Sequence, residues 1–245
     1  AEWFRDLSDF GLARRAETIR ADDLDLLVDL GGRSLGANPE LLALRPARRQ
    51  AHYLGYAETL GSGLVDFYLA DAATCPPSVR SHFAEEVVFM AGSFLPPGEG
   101  SAKPISRRCP RAVAGLPEKG VVFCAFHAAY KIEPKIFDAW CRILKAVPDS
   151  VLWLKFKPAE DAMKKLRAEA VRRGIPSDRL VLAPDLPDRR EHLYRLTAAD
   201  LFLDAPAYNA HASAIDALRA GLPILTVSGD RFCSRVTTGL LDALG

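Results

Sequence analysis

The 245-residue sequence has no CxxC pair, no GxGxxG or GxxxxGK[ST] loop, no run of ~18 apolar residues and almost no net charge. Each absence removes a class of protein. Without paired cysteines or a Cys/His cluster at ligand spacing, a zinc module is excluded, and no metal site is expected. The five cysteines (Cys75, Cys109, Cys124, Cys141, Cys233) are odd in number and unpatterned, which suits a reducing cytoplasm. Cys124 lies in a strand-like run and Cys141 in a helical one, the places of core thiols. Without a long apolar run there is no membrane span. The start at Ala1-Glu2-Trp3 lacks the basic end and apolar core of a signal peptide, so a cytoplasmic location is expected. The first residue is not Met, so the chain is expected to be processed or cut from something longer. Lys and Arg total 32 against 31 Asp and Glu, net +1, which argues against a nucleic-acid or membrane-surface protein beyond a local basic patch. The familiar dinucleotide and ATP fingerprints are missing, as is any repeat of ~34 residues.

What remains is a globular composition, with 49% hydrophobic and 26% charged residues, enough for a core without disulfides. Short apolar runs alternate with helical stretches, the pattern of βαβ units and a parallel sheet. In the first part, 11–21 reads as a helix and 24–30, 50–56, 65–70 and 85–90 as strands. Residues 95–110, rich in Pro and Gly, read as a linker, dividing a partial first domain (1–94) from a second (111–245). In the second domain, 121–126, 151–156, 179–183, 200–204 and 223–227 read as strands. Helices are expected over 133–146, 160–173, 191–197 and 213–220, with Pro134 in a first turn and Gly174 and Gly221 as stops.

In open parallel sheets, ligands sit beyond the carboxyl ends of the strands. Three such ends carry polar groups: His127, Tyr130 and Lys131 after VVFCAF; Arg189, His192 and Arg195 after RLVLA; and His211, Ser213 and Asp216 where YNAHASAID enters a helix. The start of that helix offers unpaired backbone N–H groups and a positive dipole end, suited to phosphate. Taken singly, Lys131 is a solvated charge, His192 a surface histidine, and Asn209 with Ser213 a helix cap. Taken together, three cationic or phosphate-holding strand ends point to an anionic ligand. Asp23-Leu24-Asp25 matches a DxD metal motif but enters a strand rather than leaving one, and reads as a solvated turn.

At these residues the chain resembles the catalytic region of the O-linked N-acetylglucosamine transferase family (family 41 glycosyltransferases, with SPINDLY-type relatives). The matching stretches are LVDLGGRSLGANPELLALRPARRQAHYLGYAETLGSG, FHAAYKIEPKIFDAWCRILKAVPDSVLWL and LDAPAYNAHASAIDALRAGLPILTVSGDRFCSRVTTGLL. The resemblance implies an α/β, GT-B-type fold of Rossmann-like parallel sheets, the first domain incomplete. It implies inverting, metal-independent transfer of a sugar from UDP-N-acetylglucosamine (fucose in SPINDLY-type relatives) to Ser or Thr of protein acceptors, without a cofactor. By resemblance, Lys131 neutralises the leaving diphosphate, with Tyr130 beside it. His192 and Arg195 grip ribose and uracil, Arg189 takes the place of a family lysine, His211 and Ser213 hold phosphate, and Asp216 holds a ribose hydroxyl.

The sequence also departs from the family pattern. Ala210 and Ala212 stand where Gly and Thr are usual, Ala128 where Gln is common, and Ala57-Glu58 where a Pro-Gly pair is common. Trp3 falls in a stretch that in the family carries a sugar-contacting histidine. The resemblance further implies a missing N-terminal half-domain and missing tetratricopeptide repeats. Catalysis by the 245 residues alone is therefore not expected. The alternatives are a non-catalytic nucleotide or nucleotide-sugar binding module and a structural remnant.

Overall fold

The computed structural model describes residues 4–61, 63–96, 105, 107–156 and 160–245. Trp3 and most of the expected linker (97–104 and 106) lie outside the described residues. The chain divides into two compact units. The first holds residues 1–95 with 230–233 and 241–245, and the second holds 96–229 with 234–240. The expected second domain, 111–245, thus gives up two short C-terminal pieces to the first unit. Phe232 explains one of them: its ring packs edge-on to Tyr68 and Phe94 at 5.2 and 4.8 Å. No helix among the described residues is long and apolar enough to cross a membrane.

The first unit is built on a four-stranded parallel sheet with the strands in sequence order. These are β1 (Leu26–Asp29), β2 (Arg49–His52), β3 (Phe67–Ala70) and β4 (Glu86–Phe89). Helix α1 (Leu12–Ala21) precedes β1, α2 (Pro39–Ala43) joins β1 to β2, and α3 (Pro77–Arg80) joins β3 to β4. Side chains alternate across a strand, so the register sorts the sheet into two faces. One face carries Leu27, Gln50, His52, Tyr68 and Val87 under Leu42, Leu60, Val65 and the aromatic cluster. The opposite face carries Leu26, Val28, Arg49 and Val88, which are exposed, with the buried Ala51 and the half-buried Phe67 and Leu69 between them. The strand expected over 50–56 stops at His52 because the chain reverses there. Leu54 takes φ +82°, and a Cβ on Gly55 would stand 1.8 Å from the Leu30 carbonyl oxygen. Asp23 has φ +45° and is exposed, in keeping with a solvated turn before β1.

The second unit has a five-stranded parallel sheet in the order β7-β6-β5-β8-β9. The strands are β5 (Val122–Ala125), β6 (Val151–Leu154), β7 (Leu180–Leu182), β8 (Leu201–Leu203) and β9 (Ile224–Leu225). β5 and β6 are buried along their whole length, which is why they read as unbroken apolar runs rather than alternating ones. The helices are α4 (Pro134–Ala146), α5 (Glu160–Arg172), α6 (Arg189–Leu196), α7 (Ala212–Arg219) and most of α8 (Val236–Asp242), whose last two residues count with the first unit. On α4, Phe137, Trp140, Cys141 and Leu144 recur at helical spacing and bury together against Leu152, Leu154 and Leu180. The strand order runs outward from β5 in both directions, so β5 and β8 flank the point where the winding reverses. All five cysteines are buried and none forms a disulfide, and burial raises their thiol pKa values, Cys75 to about 11.

Candidate functional site

The loops leaving β5 and β8 meet above the reversal point, where doubly wound sheets bind ligands. After β8, Asp204 is buried and organises its loop. Its Oδ1 accepts from the backbone N–H of Ala205 at 2.8 Å and of Ala210 at 2.7 Å, and Thr226 Oγ1 donates to Oδ2 at 2.7 Å. Asn209 ties the same loop from its other end. It donates to the Ala205 carbonyl at 3.1 Å and accepts from the Thr237 N–H at 3.3 Å. Asn209 is therefore a loop anchor and not a cap of α7. The N-cap of that helix is His211, with no side-chain capping bond.

Lys131 reaches across from the β5 loop. Its ammonium donates to the Asn209 carbonyl at 2.7 Å and stands 4.0 Å from the centroid of the Tyr208 ring. Tyr208 stacks on His211 at 4.9 Å, and the largely exposed Tyr130 meets Tyr208 edge-on at 6.4 Å. His127, one residue beyond the apolar run, is buried. Its Nε2–H donates to the Leu203 carbonyl at 2.9 Å, while Nδ1 has no hydrogen-bond partner. Burial lowers its pKa, and Lys131 adds to that against the opposing Leu203 carbonyl and Asp204.

A second cluster forms where α6 faces α7. Asp188 caps α6 by accepting from the N–H groups of Arg190 and Glu191 at 2.7 and 2.9 Å, which sets Arg189 and His192 on the first turn. Arg189 donates to Asp216 Oδ1 at 2.8 Å, and His192 Nε2 lies 3.7 Å from Asp216 Oδ2. Burial and the Arg195 charge push the His192 pKa down to about 4, despite Asp216. Neutral imidazole is the resting form. Arg195 differs from the sequence expectation of a ligand-gripping cation. It is buried, donates to the Pro184 carbonyl and to His192 Nδ1, and lies over the Phe126 ring at 5.2 Å. It holds the histidine from behind.

Part of this set lines a cavity of about 510 Å³, bounded by Phe126, His127, Ala128, Lys155, Phe156, Leu186, Pro187, Arg189, His192, Ala212, Ser213 and Asp216. Of the residues expected from sequence, Arg189, His192, Ser213 and Asp216 line it. Lys131, Tyr130, His211 and Arg195 stand outside its wall. Half of the lining is apolar, with Phe126 and His192 rings 6.0 Å apart and 29° from parallel. The lining also includes Ala212 and Ser213 on the first turn of α7, whose leading N–H groups have no acceptor within the helix. A flat, partly polar ring followed by an anion fits this sequence of surfaces. Asp204, Tyr208 and Lys155 escape a reading based on charge and motif, and so does the anchoring role of Asn209. An acid placed one residue past the β8 run was the available signal for Asp204.

The family model described as glycosyl transferase family 41 matches residues 1–102 and 97–245. The chain belongs to that family. A probable UDP-N-acetylglucosamine–peptide N-acetylglucosaminyltransferase (SEC) of Arabidopsis thaliana is 32% identical over 250 residues, covering 100% of this chain and 25% of the plant protein. The corresponding enzyme of Caenorhabditis elegans is 26% identical, covering 100% of this chain and 31% of its own. A solved variant of the Thermobaculum terrenum O-GlcNAc transferase superposes with a TM-score of 0.88 at 26% identity, over 98% of this chain and 45% of that one. Anabaena HepE in complex with UDP and glucose, at 12% identity and TM-score 0.55, shares the fold alone. This family 41 chain thus has the α/β architecture of GT-B glycosyltransferases, and it spans about a quarter of the plant relative's length.

In the first unit, Glu58 stands at one of the expected departures from the family pattern. Its Oε1 accepts from Arg231 Nε at 3.2 Å and from Cys233 Sγ at 3.3 Å. The carboxylate is thus partnered within its own unit.

Proposed function

We propose that the second unit binds the nucleoside diphosphate of UDP-N-acetylglucosamine and that the parent protein transfers the sugar to Ser or Thr of protein acceptors with inversion. The observation that carries this reading is the Arg189–Asp216–His192 cluster, set on one wall of a cavity whose lining includes the first turn of α7 in a family 41 chain. In this reading the uracil lies against the His192 ring and the ribose hydroxyls meet Asp216. The diphosphate takes the first-turn N–H groups of α7, with Ser213, His211 and Lys131 beside it. Lys131 offsets the charge that develops on the leaving diphosphate, and Tyr130 adjoins it on the same short turn. Neither a cofactor nor a metal takes part. Calorimetry with UDP tests this: measurable affinity is expected, and Lys131→Met reduces it. No heat at millimolar UDP would rule the reading out.

A second reading, nucleotide-sugar binding without transfer, is favoured by Ala128 and Ala212. Both line the cavity and offer no side-chain hydrogen bond to a diphosphate or sugar. Transfer of radiolabelled N-acetylglucosamine to an acceptor peptide by the parent protein separates the two.

A further inference from the structure

We infer that Tyr208 is a positioning residue that fixes the Lys131 ammonium and the His211 ring for the diphosphate of the donor; the inference rests on the nucleotide-binding reading above. Nothing in the charge pattern marks Tyr208, which sits mid-loop between β8 and α7. The geometry makes it the hub of three other candidate residues. Lys131 stands 4.0 Å over its ring centroid, His211 stacks on it at 4.9 Å and 29°, and Tyr130 meets its edge at 6.4 Å. The ring itself is set by a loop tied at both ends, through Asp204 to Ala205 and Ala210, and through Asn209 to Ala205 and Thr237.

A lysine carries a long flexible stem, and an untethered ammonium is spread over many rotamers. The usual restraint is a carboxylate, which cancels the charge it holds, as Asp216 does for Arg189. Tyr208 restrains Lys131 differently. The negative face of the ring attracts the cation through its quadrupole, and the Asn209 carbonyl accepts one of its protons. The Tyr208 ring and the Asn209 carbonyl are neutral, so neither of these two cancels the charge it holds in place. The same ring fixes the orientation of His211 at the start of α7. Tyr208 thus acts through two neighbours on one part of the ligand, the diphosphate, and not on the base or ribose.

That division supplies the test. Titrations of the 245-residue chain with UDP and with uridine are compared for wild type, Tyr208→Phe and Tyr208→Leu. Phenylalanine keeps the ring face, and affinity for UDP is expected to stay within about twofold of wild type. Leucine removes it, and UDP is expected to bind about tenfold more weakly while uridine is unchanged. Equal loss of UDP and uridine, or no loss of UDP, overturns the inference while leaving the nucleotide-binding reading intact. Wild type that binds neither ligand overturns the reading itself. A second readout does not depend on the leucine variant folding. The Lys131 ε-methylene resonance should carry an upfield ring-current displacement in wild type and Tyr208→Phe, and its absence there overturns the inference.

Discussion

Arg195 donates a hydrogen bond to His192 Nδ1 at 2.8 Å, so the imidazole presents its Nε2 edge toward Asp216 with a cation fixed behind it. A ring in that position resists a second proton. Its folded pKa is about 4, against 6.5 for the free side chain. As pH falls from 6.5 toward 4, the unfolded chain takes up a proton that the native site refuses. Stability is therefore fully present above pH 6.5 and declines through that window. The buried His127, also depressed, adds a decline of the same sign. Urea midpoints measured between pH 7 and 4 should fall less steeply for His192→Asn than for wild type. Parallel slopes would show that His192 titrates normally.

Asp216 joins the two helices of the site through Arg189, and it faces His192. Asp216→Asn should weaken both UDP and uridine, by about tenfold or more, because a charged hydrogen bond on the ribose side is lost. Uridine affinity that survives the substitution would move Asp216 out of the nucleoside site.

Away from the cavity, Asp200 accepts from the Val122 N–H at 2.8 Å and from Arg108 at 2.7 Å, and forms an ion pair with Arg111 at 2.5 Å. Burial works to raise its pKa, but the Val122 bond and the two arginines outweigh it and the net shift is downward. Its contribution is thus present above the ordinary carboxylate range and is lost as pH drops through the lowered folded value. Asp200→Asn should cost about 2 kcal/mol at pH 7 and less at pH 3, read from denaturant midpoints. A cost independent of pH would contradict the ionic account.

Two glycines separate backbone strain from steric conflict. Both Gly115 (φ +68°) and Gly120 (φ +85°) are left-handed, but a Cβ meets nothing within 4 Å at Gly115 and the Asp149 carbonyl oxygen at 2.0 Å at Gly120. Gly115→Ala should cost about 1 kcal/mol, the left-handed penalty alone. Gly120→Ala should cost several times that, or prevent folding, because β5 and β6 begin on either side of the contact. Equal thermal midpoints for the two variants would refute the distinction.

The elements most legible in the sequence are those whose side-chain pattern reports burial directly. β5 and β6 are continuous apolar runs, α4 carries a helical stripe, and α5 ends on a glycine stop at Gly174. Helices α2 and α3 were not foreseen, since five and four residues are too few to show a period. At the site, charge revealed which residues gather but not which way they face. Arg195 follows His192 by three positions, the spacing of neighbours on one helix face, yet only the fold shows it turned inward to Pro184. Asn209 and Asp204 act by holding backbone groups, a role that composition and motif do not express. Tyr208 depends on a lysine 77 positions away in the chain.

The margins of the second face of the first unit's sheet, on either side of the buried Ala51, bear on how this polypeptide behaves as a solute. Leu26 and Val28 on β1 are 47% and 39% exposed, with Val88 on the far strand at 38%. Only Arg49 and Glu86 interrupt this face with charge, and β1 is an edge strand with one side of its ladder unpaired. Two such surfaces attract each other in water, more strongly as salt weakens the repulsion between scattered charges. With a net charge of only +1 there is little long-range repulsion to oppose them. The colloidal character of the chain is therefore written on one sheet face: a negative second virial coefficient in light scattering, made positive by Leu26→Lys together with Val28→Lys, which remove apolar area and raise the net charge from +1 to +3.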